Sequence, residues 1–441
     1  MSVDEARRHI LDRARAHGIS AEVVGQRRRD LTARASQGRL EQLTQAVSGG
    51  VGVRVDVDGR VGYAYTEELS PEALDWMLDE AIENASLQER GEAFLPAGSP
   101  LGHQDLVGKS FDAPLQAKIQ AALGFEGTLR EDKRVMGVEL ADYDERVWDI
   151  SVASTEGADG SYRRGAAGLS AFFVMQDGAS RKQGWDRQWV TDLASLDPGR
   201  TALEFTERTG RLLGARPLAT GRYPAYFEPK AFIDLLAAFS PMWSGKAVME
   251  GKSRLAGRLG EAISAPILTL VDDPTMRAGL ATRPFDAEAT PARPLTLIED
   301  GVLRAYLTNS EVARALRLEN TGHAARGYRG TLTVAPSNLY VRPLQTGSGL
   351  KPQRGVLITE VSGVHAGASA ITGQFSLQGL GLWVEGGEVA YPVENFAVAG
   401  DFLTLLREIT GLGESLEWKM WGGTALGAPL VGVAELSFAG I

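Results

Sequence analysis

GLWVEGGEVAYPVENFAVAGDF, residues Gly381 to Phe402, reads as two strands joined by a tight turn. Trp383 and Val384 lead into Glu385-Gly386-Gly387-Glu388, where the glycine pair accepts the positive φ of a two-residue hairpin turn. Val389, Ala390, Tyr391 and Val393 carry the second strand outward. Pro392 has no N–H to give to a ladder, so this strand is expected at an edge or bulged there. The surrounding sequence is of the same kind: Leu268 to Val271, Leu295 to Ile298, Val302 to Leu307, Thr331 to Val334 and Gly355 to Val361 all read as strands. Helical periodicity is confined chiefly to Lys230 to Phe239, Glu311 to Leu316 and Phe402 to Ile409. This half is predicted to be largely antiparallel β, a sandwich or a curled, barrel-like sheet with helices outside.

The other half mixes helices and strands. Val3 to Ala16 is a helix stopped at Gly18, and the alternation Val51, Val53, Val55, Val57 before the Asp58-Gly59 turn predicts a half-buried antiparallel hairpin. Ser70-Pro71-Glu72 opens a second helix with a cap, a first-turn proline and a favourable dipole charge. Gln88 to Lys109 reads as a long loop or linker. A helix from Pro114 to Arg130 follows, then strands around Val135 to Ala141, Val147 to Thr155 and Ala167 to Gln176, then a helix over Ala202 to Leu213. Gly214-Ala215-Arg216-Pro217 is the best boundary. The predicted class is therefore α+β, with an N-terminal mixed α/β domain over 1–214 and a largely antiparallel β-rich C-terminal domain over 215–441.

At 441 residues the chain exceeds a single core, which stops growing near roughly 250 to 300 residues. The absence of cysteine excludes disulfide and thiolate chemistry. A net charge of −10 argues against a general nucleic-acid binder. The basic run Gln26-Arg27-Arg28-Arg29 is expected to be a solvated strand end or turn. The N-terminal MSVDEARRHILDRARAHG reads as a charged amphipathic helix rather than a signal peptide, and no apolar run approaches the roughly 18 residues of a membrane span. The expected compartment is the cytoplasm.

Several segments carry a resemblance. GGVGVRVDVDGRVGYAYTEELSPEALDWMLDEAIENA from Gly49, SGKAVMEGKSRLAGRLGE from Ser244, LTLVDDP ending at Pro274, FDAEATPARPLTLIEDGVL from Phe285, TGHAARG from Thr321, the Gly381 block and TALGAPLVGVAELSFAG from Thr424 stand in one order. In that order and spacing they resemble the TldD/PmbA family of peptidases, over most of the chain. The catalytic member of that family carries H-E-x-x-x-H on a helix, completed as a zinc site by a cysteine near the C-terminus. With Leu235-Leu236 and Ser253 as anchors, the matching hexapeptide here is AAFSPM, Ala237 to Met242. Ala237 and Met242 would hold the histidine positions and Ala238 the glutamate position. No histidine occurs between His103 and His323, so a slipped alignment does not restore the site. The resemblance thus points to the PmbA/TldE branch, described as lacking the zinc motif: no catalytic residue, no metal ligand, no cofactor, and a subunit inactive alone. It implies a zinc-bearing TldD-like partner in a heterodimer, or a homodimer, and an unfolded peptide as substrate, with neither nucleic acid nor membrane as partner.

Other constellations stand beside this one. Gly102 to Ser110 and Gly245 to Ser253 end in Gly-Lys-Ser, but each has five residues between its glycines where a phosphate loop has four. Asp272, Asp273, Asp286 and Glu288 could hold a hard cation or form an acid–base pair, while Asp272-Asp273-Pro274 also reads simply as a strand end and turn. His323 and His365 are far apart in sequence and could still meet in space. Trp185 and Trp189, with Arg187 between, fit core or interface. Thr321, His323, Val389, Tyr391, Asp286 and Glu288 are the candidate substrate-contacting residues. Two readings stand beside the non-catalytic subunit: a stand-alone hydrolase using carboxylates such as Asp286 and Glu288, and a self-assembling peptide-binding scaffold.

Overall fold

The computed structural model describes residues 1–91 and 95–440. The N-terminal half runs α1 (Val3–Ala16), β1 (Ser20–Ser36), β2 (Arg39–Val57), β3 (Arg60–Thr66), α2 (Pro71–Ser86), β4 (Pro100–Asp105), α3 (Leu115–Glu131), β5 (Val135–Ser154), β6 (Asp159–Asp177), β7 (Ser180–Val190) and α4 (Pro198–Gly210). The C-terminal half continues with β8 (Arg216–Pro217), β9 (Gly221–Phe227), α5 (Pro229–Phe239), α6 (Gly245–Met249), β10 (Leu270–Asp272), β11 (Leu295–Glu299), β12 (Val302–Leu303), α7 (Ser310–Leu316), β13 (Ala324–Ala325), β14 (Thr333–Val334) and β15 (Asn338–Val341). It ends with β16 (Arg354–Ser362), α8 (Val364–Gly367), β17 (Gln374–Glu385), β18 (Glu388–Asp401), α9 (Phe402–Arg407), β19 (Ile409–Leu412), β20 (Glu417–Trp421), β21 (Thr424–Ala428) and β22 (Val431–Ala439). The α+β expectation holds.

One seven-stranded sheet, β3-β2-β1-β5-β6-β4 with β7 on β6, carries the N-terminal half. Val51, Val53 and Val55 point from it into a core with Ile10 and Leu11 of α1 and with Leu74, Met77 and Leu78 of α2. The hairpin was expected to be half-buried, yet Val51 to Val55 is buried on both faces. The reason lies far away in sequence: the Tyr328 backbone runs over β2, and a Cβ at Gly52 would sit 1.9 Å from the Tyr328 carbonyl oxygen. Only glycine permits that approach.

Three further expectations are corrected. The basic run Gln26 to Arg29 is solvated but lies inside β1, which is paired along its length with β2 and β5, rather than at a strand end or turn. The two strands expected over Val135 to Thr155 are one, β5, whose register with β6 shifts only near its start. Within the expected loop Gln88 to Lys109, of which 92–94 lie outside the described residues, Pro100 to Asp105 forms β4 and pairs in parallel with β6.

The C-terminal half has a six-stranded sheet, β12-β11-β10-β15-β21-β20, a small β13–β14 ladder and a seven-stranded sheet, β19-β22-β9-β16-β17-β18-β8. In the last, β18 also pairs with β22 through Ala397–Ala439, Val398–Phe438 and Ala399–Ser437. That contact closes β22, β9, β16, β17 and β18 into a ring, the curled sheet anticipated from sequence. Gly386 and Gly387 have φ of 63° and 86°, as the hairpin turn requires. Beyond the turn, β18 gains an outer neighbour only at Val393 and Glu394, against β8, and again at Ala397 to Ala399. Among the described residues, Glu388 to Pro392 therefore has a ladder on one side only.

Phe438 closes the ring from inside, 2% exposed, with its ring 5.4 Å from that of Phe396 and 5.7 Å from that of Tyr223. Truncation leaves a cavity at the seam, so Phe438→Ala is expected to cost about 3–5 kcal/mol. Thermal unfolding checks this; an unchanged midpoint would show that the seam does not hold the ring.

Candidate functional site

Where β2 and β1 meet the C-terminal half, burial on both faces places charges in the interior. Arg54 Nη2 lies 3.1 Å from Glu22 Oε2 and 3.0 Å from Glu288 Oε1, and Arg326 Nη2 lies 3.2 Å from Glu22 Oε1. All four side chains are at most 5% exposed. Ser310 at the start of α7 donates to Glu288 from its backbone N–H at 2.9 Å and from its hydroxyl at 2.5 Å. Burial pushes the Glu22 carboxyl up, against the pull of Arg54 and Arg326. Burial also opposes the charge on Arg54, but Glu22 and Glu288 outweigh it and raise its pKa. Two guanidinium groups and two carboxylates thus join the halves.

Asp286 lies two residues before Glu288. Its Oδ1 accepts the N–H groups of Glu288 and Thr290, each at 2.9 Å, and its Oδ2 accepts that of Ala324 at 2.9 Å. Burial and the neighbouring Glu288 push its carboxyl up to about 7. The three donors position the 286–290 turn against β13.

Thr321 and His323 are brought together, with Asp272 beyond them. His323 Nε2 is 2.9 Å from Asp272 Oδ2, and His323 Nδ1 is 2.8 Å from Thr321 Oγ1. Ser337 donates to Asp272 from its N–H at 2.8 Å and its hydroxyl at 2.6 Å. Burial opposes charge on Asp272, yet His323 and Ser337 outweigh it and hold its carboxyl below the ordinary range. The order Thr–His–Asp is that of a nucleophile relay. Here His323 and Asp272 are fully buried and the Thr308 N–H already donates to Thr321 Oγ1 at 2.7 Å, so the line braces β10 against the Thr321 segment. His365 stands elsewhere, its ring 5.7 Å from that of Trp421.

Above this brace lies a cleft of about 470 Å³, bounded by β1, β5 and β6 on one side and by the Arg283 to Ala287 and Ala324 to Gly330 segments on the other. Asp286 lines it, and so do Ala324, Ala325 and Arg326, next in sequence to His323. Val389 is 54% exposed on the half-paired hairpin edge, and the Arg216 guanidinium packs 5.0 Å from the Tyr391 ring centre. Nothing among the described contacts joins that edge to the cleft. Trp185 and Trp189 flank Arg187, which lies 5.7 Å and 5.4 Å from their ring centres, at a second cleft that also includes Asp186 and Lys230.

The sequence reading missed Arg54, Glu22 and the arginines of the first cleft. One signal was present: along β6, Tyr162, Arg164 and Ala166 share a face whose flanking residues are apolar, and a charge on such a face needs a reason.

Zinc binding needs neutral imidazoles, thiolates or carboxylates converging at about 2.0 to 2.3 Å. At the end of α5, Ala237 is 8% exposed and Met242 fully buried, both within the apolar core that includes Phe239, Trp243 and Phe402. Neither position, nor Ala238, supplies a zinc donor. Among the described residues no group of three or more His, Cys, Asp or Glu side chains is arranged to hold a metal ion. These residues do not fit a zinc site.

The chain belongs to the PmbA/TldD family, one of metallopeptidases. The PmbA/TldA metallopeptidase C-terminal domain matches residues 220–440, domain 1 matches 21–85 and the central domain matches 108–213. Metalloprotease PmbA of Escherichia coli O157:H7 is 26% identical over 95% of this chain and 92% of its own. The PmbA homologue of Haemophilus influenzae is 24% identical over 91% and 89%. A Thermotoga maritima structure, described as a candidate modulator of a DNA gyrase, superposes with a TM-score of 0.89 at 29% identity, covering 99% of this chain and all of that one. TldE of Thermococcus kodakarensis shares the fold with a TM-score of 0.86 at 20% identity, over 98% and 100% of the two chains. No helix among the described residues is long and apolar enough to cross a membrane.

Asp286 titrates near 7 in the folded chain against an ordinary 3.8, so the folded state binds its proton more tightly than the unfolded state. Its contribution to stability is complete below the ordinary value and is lost as pH rises through about 7. Glu288→Gln removes the neighbouring charge and should bring Asp286 down. Urea unfolding of wild type and variant between about pH 5 and about pH 8 is expected to show a shallower loss of stability with pH in the variant; parallel pH profiles would contradict the coupling.

Proposed function

We propose that this chain is the non-catalytic subunit of a two-chain peptidase of the TldD/TldE type. It pairs with a zinc-bearing TldD-like chain, completes the substrate chamber and holds extended, unfolded peptide for hydrolysis at the partner's metal. The observation that carries this reading is the packed end of α5, where Ala237, Ala238 and Met242 stand at the positions of the zinc motif and lie against an apolar core. Membership of a metallopeptidase family and the fold shared with a TldE support it. A carboxylate hydrolase is less well supported: Glu288 is taken up by Arg54 and Ser310, and both oxygens of Asp286 accept backbone N–H groups. Among the described residues neither a group of metal ligands nor a free nucleophile–base pair offers itself to stabilise the tetrahedral transition state of amide hydrolysis, which supports placing the chemistry on a partner.

Two surfaces suit peptide capture. The half-paired segment Glu388 to Pro392, which includes Val389 and Tyr391, can accept an added strand, and the Asp286-lined cleft offers the backbone of the Thr321 segment. The division of the chain near Gly214 is part of the same proposal. It is supported by sheet membership, since strands up to Val190 build one sheet and strands from Arg216 onward build the others.

Unfolded casein incubated with this chain alone is expected to survive, and to be cut when a zinc-bearing family partner is added. Cleavage by the isolated chain at the rate of the mixture would overturn the proposal.

A further inference from the structure

Among the described residues, eight arginines have a buried Nε without a hydrogen-bond partner; six of them still pair with a carboxylate, whereas two arginines of the first cleft, Arg164 and Arg283, pair with none. Arg164 on β6 lies over the Trp148 ring at 4.9 Å, and its Nε is buried without a hydrogen-bond partner. Arg283 enters from the opposite wall, with Nε and Nη2 both buried and unpartnered. The third arginine there, Arg326, is neutralised by Glu22. The nearby carboxylates are occupied: Asp286 accepts from Glu288, Thr290 and Ala324, and Asp272 accepts from Ser337 and pairs with His323. Burial lowers the pKa of Arg164, and the charge of Arg283 lowers it further; both guanidinium-bearing side chains line the same cleft. Buried donors without acceptors are rare in folded proteins, and guanidinium forks match a carboxylate bidentately.

We propose that this cleft is a carboxylate-recognition site, in which Arg164 and Arg283 together receive a carboxylate of the bound peptide. The inference rests on the peptide-handling reading above and adds the chemical group by which the peptide is registered. The opposite wall is built from Ala287, Ala324, Ala325 and Gly327, which leave room for main chain rather than bulky side chains. A C-terminal carboxylate and an aspartate or glutamate side chain present the same group, and the experiment separates them.

The probes are three dye-labelled flexible decapeptides measured by fluorescence anisotropy with the wild-type chain. One has a free C-terminus and no acidic residue, one is its C-terminal amide, and one is the amide with a central glutamate. At least one carboxylate-bearing probe is expected to bind about tenfold more tightly than the plain amide, the size of one charge-assisted hydrogen bond. Preference for the first assigns the site to the peptide terminus; preference for the third assigns it to an acidic side chain. Arg283→Gln and Arg164→Gln should each abolish the preference, so that the carboxylate-bearing probes bind no more tightly than the plain amide. Equal binding of all three probes overturns the carboxylate site but leaves the peptide-binding reading standing. Failure of every probe to bind overturns both, and neither result depends on the variants folding.

Discussion

Arg54 holds a positive charge at 4% exposure between Glu22 of the first sheet and Glu288 of the C-terminal half, and the way the two halves meet depends on it. A buried charge left without its partner costs on the order of 3–5 kcal/mol, so any docking that separates these groups is heavily disfavoured. Gly52 admits the Tyr328 backbone beside it, and Arg326 repeats the bridge to Glu22 a few residues earlier in the same segment. The cleft lies along the seam thus formed.

Around that seam the acidic and histidine side chains are already engaged by their neighbours. Asp272, His323 and Thr321 stand in the order of a catalytic relay, yet they are buried and their hydrogen-bonding capacity is spent on Ser337 and Thr308. Asp286 and Glu288 are likewise saturated by backbone N–H groups, Ser310 and Arg54. The groups left with unused donors are guanidinium groups, which recognise anions and do not activate water. Apolar packing at Ala237 and Met242 completes the picture, since a metal there would meet methyl and thioether groups in a closed core.

Local features of this fold were legible in the sequence because their causes are local. Ser70 caps α2 as expected, with Pro71 at the first helical position, and Gly386-Gly387 forms the turn read from its residues. Barrel-like curling was anticipated, although the pairing of Val398 with Phe438 that closes the ring joins strands no periodicity relates. What sequence did not reveal are contacts between residues far apart. Cover for the second face of β2 at Gly50 and Gly52 comes from Tyr328, and the partnership of Arg54 with Glu288 joins residues 234 apart in the chain. Thr321 and His323 drew notice through their motif, but their burial depends on Asp272 and Thr308 arriving from other elements. A short alternating pattern states which residues share a face of a strand, and is silent on what covers it.

Metal content measured in both assembly states is the most direct test of the proposed division of roles, in which this chain supplies binding and a partner supplies the metal. After exhaustive dialysis, elemental analysis of the isolated chain should find no stoichiometric zinc, and the reconstituted pair should hold one zinc per two chains. About one zinc retained by each copy of this chain on its own would contradict the division of roles.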